Sequence, residues 1–177
     1  QVVFPYIGPL LSWTDDAQPG TGVVVTFETS MPCRGTVEYG PTAKLGLSAL
    51  GDEADYVHHV TLTGLTPDSD VHYRVLDNVG HASEVLRFHT PAPAGSGPMR
   101  FVVLADAQDS GGGSESWPTL AASLDAEHTD LTMVVFTGDL AAADETGDWW
   151  TFFDGGRALF TRQPLLPAVG NHDHGYG

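Results

Sequence analysis

Two stretches decide the reading of this chain: Leu131 to Asp139, LTMVVFTGD, and Leu165 to Asp173, LLPAVGNHD. Each is a short apolar run that breaks off into glycine and then a polar, chemically capable residue. A third run, Arg100 to Asp106 (RFVVLAD), likewise ends at a polar residue, without the glycine. Continuous apolar runs of this length predict buried strands of a parallel sheet. Helix-like segments lie between them. In WPTLAASLDAEH (Trp117–His128), Leu120, Ala121 and Leu124 can share a face, and Pro118 suits a first turn. DWWTFFDGGRALF (Asp148–Phe160) reads as helix weakened by Gly155 and Gly156. Strand–helix–strand–helix–strand predicts parallel strands joined by right-handed crossovers, a βαβαβ half of a layered α/β sandwich. Three such strands leave an apolar sheet edge unpaired.

Residues before the first run have another rhythm. Val23, Val25 and Phe27 alternate with Val24, Thr26 and Glu28, and one face is shared by Val60 and Leu62, by Val71, Tyr73 and Val75, and by Leu86 and Phe88. Period-two patterning punctuated by Pro41, Gly51, Pro67 and Gly80 predicts an all-β antiparallel sandwich. The expected division is a β-sandwich over 1–90, a Pro/Gly/Ser-rich linker over 91–98 (the breaker run itself is TPAPAGSGP, Thr90 to Pro98), and the α/β part over 99–177.

Composition excludes several functions. There are 23 acidic side chains against 7 basic ones, a formal net charge of −16. Such a chain repels nucleic acid and anionic membranes, so neither nucleic-acid binding nor membrane insertion is expected. An aspartate-rich, lysine-poor surface would suit high salt. One cysteine, Cys33, rules out a disulfide framework and a cysteine-rich zinc site. The opening QVVFPYIGPL has neither the charged start nor the apolar block of a signal peptide, and a mature secreted chain would look the same.

The chemistry gathers where the three apolar runs end: at Asp106, at Asp139, and at Asn171 with His172. In a parallel sheet the C-terminal strand ends line one rim, where ligands collect. Carboxylate and amide oxygens converging there suit one or two hard cations. Gly138-Asp139 to Asp144 gives GDxxxxD, and Gly170-Asn171-His172-Asp173 gives GNHD, in that order and each after a buried strand.

Those motifs resemble the calcineurin-like metallophosphoesterase superfamily. The segments RGTVEYG (Arg34–Gly40) and GLTPDSDVHYRV (Gly64–Val75) resemble the fibronectin type III-like domain that precedes the catalytic domain of purple acid phosphatases. The resemblance implies a dinuclear site for two divalent or trivalent ions (iron, manganese or zinc). Asp106 would bind the first metal, Asp139 would bridge, Asn171 would hold the second, and Gln108 would offer a weaker amide oxygen. His172 would be the catalytic imidazole near the leaving group, and Asp173 would support the ligands from behind. Many relatives have histidine at the position of Gln108, and purple members have the chromophoric tyrosine at the position of Ala142, so no purple colour is expected. The family's remaining histidines come from later strands, so the chain reads as the first half of a catalytic domain, poorly active alone. The implied activity is hydrolysis of a phosphomonoester or phosphodiester in an extracellular, secreted or periplasmic protein. The remaining C-terminal part of the same polypeptide, or a second copy, is the expected partner besides substrate. The rival reading is a non-enzymatic adhesion or assembly protein on a degenerate phosphatase scaffold; another is a metal hydrolase acting on a different bond.

Tyr73 is expected to return its hydroxyl to nearby backbone, as in a tyrosine corner. His72 and His89 are expected at the surface. His58 and His59, adjacent in a strand, are expected on opposite faces, and the aromatics Trp149, Trp150, Phe152 and Phe153 in packing.

Overall fold

The computed structural model describes residues 4–14, 20–108, 116–142 and 146–174. Asp144 lies outside the described residues. The first half is β-rich: β1 (Ile7–Trp13), β2 (Gly22–Gly40), β3 (Leu47–Thr63), β4 (Asp70–Leu76) and β5 (Leu86–His89). All pairings are antiparallel, in the order β1-β2-β4-β5 with β3 also on β2. The strands β2 and β3, at 19 and 17 residues, are far longer than the alternating runs predict. They stay paired through register shifts between Glu28 and Cys33 and between Arg34 and Thr36. Such irregularities bend a strand without ending it. Gly35 is required there: a Cβ would lie 2.7 Å from the Phe27 ring and 2.5 Å from that of His58. The bend lets the early half of β2 pair with β1 and the late half with β4. One core collects Val23, Val25 and Phe27 with Val37, Val71, Tyr73, Val75 and Phe88. The β-rich architecture matches expectation, built from one continuous hydrogen-bonded network.

The second half runs β6 (Phe101–Leu104), α1 (Ser116–Glu127), β7 (Met133–Phe136), α2 (Thr146–Gly155), α3 (Arg157–Phe160) and β8 (Leu165–Pro167). The three strands form a parallel sheet in the order β6-β7-β8. Helix α2 stops at Gly155, where the glycine pair weakens the pattern. One face of the sheet is covered. Val134, Phe136 and Leu165 pack with Trp117, Ala121, Leu124, Phe152, Leu159 and Phe160. Trp117 stacks on Phe152 and meets Phe136 edge-on. Burying a side chain such as Phe152 contributes roughly 1.5–3 kcal/mol, so this aromatic knot anchors the helices to the sheet.

Two expectations need correction. Leu120 is exposed: the buried stripe of α1 is Trp117, Ala121 and Leu124, centred on the tryptophan, and Leu120 falls at its margin. The strands are not buried on both faces. Phe101 (54 % exposed), Val103 (55 %) and Leu166 (57 %) share an uncovered face, with Val103, Val135 and Leu166 in one cross-strand row. Thr90 ends the β-rich part, at the last residue the sequence assigns to it. Thr90 is fully buried, its hydroxyl bonded to Thr66 and Ser69 carbonyls at 2.7 and 3.1 Å.

The halves are docked by hydrogen bonds, one buried and two part-buried. Tyr73 does not form a tyrosine corner; its hydroxyl donates to the Thr161 carbonyl, 88 residues on, at 2.7 Å. Burial pushes the Tyr73 phenol far up, so it stays a neutral donor. The Trp13 indole donates to Thr132 at 3.1 Å, and Arg157 to the Gly8 carbonyl at 2.6 Å. Leu10 of β1 packs into the core of the second half. No helix among the described residues is long and apolar enough to cross a membrane.

Candidate metal centre

Each parallel strand hands over to a loop carrying one of the expected residues. Asp106 lies two residues beyond β6, Asp139 three beyond β7, and Asn171 four beyond β8. The loops are knitted together through backbone. Asp106 N–H donates to Gly138 O and Gln108 N–H to Asp139 O, each at 3.3 Å. The Thr137 hydroxyl donates to Leu104 O at 3.2 Å. Asp106 (φ 57°) and Asp139 (φ 55°) both occupy the left-handed region. That conformation costs a non-glycine residue about 1–3 kcal/mol, aspartate least among charged types. Two aspartates paying it at equivalent strand ends is an outlier of the kind found at functional sites.

Asp173 organises the rim. Its buried carboxylate (6 % exposed) accepts N–H groups from Asp139 (3.0 Å), Leu140 (2.8 Å), Ala141 (2.9 Å) and Gly170 (2.7 Å). Burial by itself would raise its pKa; these backbone donors outweigh burial and hold the carboxyl below its usual range. Asp173 therefore clamps the loop after β7 to the loop after β8. Gly170 completes the cradle: a Cβ there would lie 2.2 Å from both the Asp139 nitrogen and its Oδ1.

His172 sits in the same clasp. Its backbone N–H donates to Asp139 Oδ1 at 3.0 Å, and its Nδ1 lies 3.2 Å from the Ala142 carbonyl. That carbonyl can only accept, so Nδ1 carries the proton and Nε2 is the acceptor of the neutral ring. His174 and Asn171 are exposed. Gln108 is part-buried, and its Oε1 is buried without a hydrogen-bond partner. Among the described residues, no three His, Cys, Asp or Glu side chains come together as a metal-holding group. The oxygen donors of Asp106, Asp139 and Asn171 nonetheless fit a hard cation in chemical type.

The other histidines go elsewhere. His58 is buried beside the Thr29 hydroxyl (2.9 Å) and Cys33 (3.6 Å), with burial lowering its pKa, while His59 faces solvent. His72 is half-buried with Nδ1 unpaired, against expectation, because it lies in the middle of β4 between two paired strands. His89 is exposed between Asp70 (3.0 Å) and Asp68 (3.3 Å). Phe152 is core, and Trp149 and Phe153 pack against it. Sequence reasoning missed the Gly170 cradle and a pocket of about 200 Å³ beside the rim, between α1, the loop after β7 and α2. A glycine preceding an asparagine carries no signal of its own contacts. A larger groove, about 620 Å³, opens near the starts of the parallel strands, around Arg87, His89, Arg100 and Arg162.

This geometry, a β-rich module docked on a parallel sheet whose strand-end loops converge, defines a two-part protein with a candidate ligand rim. Its first part matches the family described as Purple acid Phosphatase, N-terminal domain, over residues 9–90; the chain carries a purple-acid-phosphatase-like N-terminal domain. The structure of purple acid phosphatase PPD1 from yellow lupin (Lupinus luteus) seeds superposes with a TM-score of 0.73 at 20 % identity, covering 93 % of this chain and 35 % of that one. Two uncharacterized proteins, from two strains of Mycobacterium tuberculosis, are each 28 % identical over 144 residues. The match covers 68 % of this chain and spans a quarter (25 %) of the length of each relative.

Proposed function

We propose that this chain supplies the first part of a dinuclear-metal phosphoester hydrolase. Asp106, Asp139 and Asn171 are its oxygen donors to metal, His172 its catalytic imidazole and Asp173 its positioning carboxylate. The observation that carries the reading is the pair of left-handed aspartates, Asp106 and Asp139, on loops hydrogen-bonded to each other at adjacent strand ends. Bound cations would supply Lewis-acid polarisation of a phosphoryl oxygen and a more acidic water. The chain's own residues prepare for this. The Asp173 clamp holds the Asp139 backbone and the His172 N–H holds its carboxylate, which limits reorganisation when charge develops. The His172 ring, oriented by the Ala142 carbonyl, exchanges its proton through Nε2 and can meet a departing alkoxide there once protonated. The strong negative charge disfavours long polyanionic substrates and favours small esters.

The test is hydrolysis of para-nitrophenyl phosphate by the longest available polypeptide carrying this chain, with manganese, zinc or iron added. Metal-dependent turnover lost in Asp139→Asn supports the reading; equal turnover in that variant overturns it.

A second reading is an assembly role, favoured by the uncovered apolar row of Val103, Val135 and Leu166. Soluble proteins rarely leave such a patch bare unless something docks on it. Under this reading the polypeptide takes up no metal at the rim and hydrolyses no ester.

A further inference from the structure

The pocket beside the rim is lined by Gln108, Trp117, Leu140, Asp148, Thr151 and Phe152, among others. Its floor is apolar, from Trp117, Leu140 and Phe152, all buried. Its polar groups include three acceptors. Gln108 Oε1 is buried and unpartnered among the described residues. The Asp148 carboxylate stands in the first turn of α2. The Thr151 hydroxyl already gives its proton to Gly147 O at 2.9 Å, so only its lone pairs remain on offer. A buried acceptor with no donor is costly unless a ligand or water supplies one.

We infer that this pocket is a subsite for the hydroxyl-bearing alcohol part of the substrate, a small neutral polyol. The inference rests on the phosphoester reading and assigns Gln108 to substrate recognition in place of a metal. Hydroxyls donate to Gln108, Asp148 and Thr151, while their carbon skeleton lies against the Trp117 and Phe152 floor. A cationic alcohol fits less well, because the Asp148 charge is already engaged by the positive N-terminal end of α2. About 200 Å³ holds roughly six to seven waters at liquid density, enough for a glycerol-sized group and too little for an oligosaccharide.

The test compares glycerol-2-phosphate with isopropyl phosphate, which has the same carbon skeleton without the hydroxyls. Both are titrated into the zinc-supplemented chain and followed by nuclear magnetic resonance at the Gln108 side-chain amide and the Asp148 and Thr151 backbone amides. The expected result is saturable shifts at these three sites, with glycerol-2-phosphate bound on the order of tenfold more tightly. The difference should vanish in Asp148→Ala and, independently, in Gln108→Leu. Equal affinities, or shifts that bypass all three residues, overturn the subsite. Hydrolysis is scored separately, on the longest available polypeptide carrying this chain. Selective shifts without hydrolysis uphold the subsite and sink the phosphoester reading; hydrolysis of both esters with equal kcat/KM and no selective shift does the reverse.

Discussion

Gly170 lies so close to Asp139 that a single methyl group at residue 170 would sit 2.2 Å from the aspartate's Oδ1. The carboxylate's position is therefore set by the absence of a side chain across the loop. Gly170→Ala must push the loop after β8 away or rotate the Asp139 carboxylate. Overpacking of this kind costs about 1–3 kcal/mol. The denaturant midpoint should fall accordingly, and metal affinity should fall further than that of a destabilised variant elsewhere in the chain.

Asp173 accepts four backbone N–H groups across the same two loops. Asp173→Ala strands buried donors and should cost about 2–4 kcal/mol. The folded-state pKa is lowered, so the stabilisation is present above the unfolded aspartate value of about 3.9 and lost as pH falls through the lower folded value. Asp173→Asn should flatten that acid limb of a stability–pH curve, read by chemical denaturation between about pH 5 and 2. An unchanged limb would mean that the clamp does not form.

Tyr73 joins the two halves through its bond to Thr161. Tyr73→Phe removes the donor and leaves a buried carbonyl unpaired, costing about 1–2 kcal/mol. Urea unfolding should show the loss, with the Trp117 and Phe152 region opening earlier in hydrogen exchange than the β-rich core.

His89 gains protons by its contact with Asp70 first, opposed by partial burial, then through Asp68. Its pKa is raised, so its contribution is complete below the unfolded histidine value of about 6.5 and is lost as pH rises through the higher folded value. His89→Gln should remove this decline in stability above about pH 6.5, measured as thermal midpoint against pH; it should also weaken the acid limb contributed by Asp70, whose carboxyl is held low chiefly by its bond to His89.

The order of elements was readable because the polarity pattern changes period at the linker, from two in Val23, Val25 and Phe27 to unbroken runs in MVVF. The length of β2 and β3 was hidden. The exposed Ser30, Met31 and Pro32 and the glycine at 35 interrupt alternation where the strands only bend. The partner of Tyr73 could not be inferred, since its acceptor is a main-chain carbonyl in a segment with no local mark of it. The exposure of Phe101 and Val103 was equally invisible, because an apolar run does not say whether one or both faces will be covered. For the rim, residue types and order in GD and GNHD were legible, while the tightness of the Asp173 and Gly170 contacts required coordinates.

The most direct test of the central claim is cation binding by the chain itself, measured by isothermal titration calorimetry with zinc or manganese in 0.5 M salt, roughly where nonspecific attraction to the acidic surface is screened. The account predicts saturable uptake that is lost in Asp139→Asn and in Asp106→Asn, and retained in a surface control such as Asp52→Asn. Uptake that is the same in all three variants, or absent from the parent chain and from the longest polypeptide carrying it, would contradict a metal site at these strand ends.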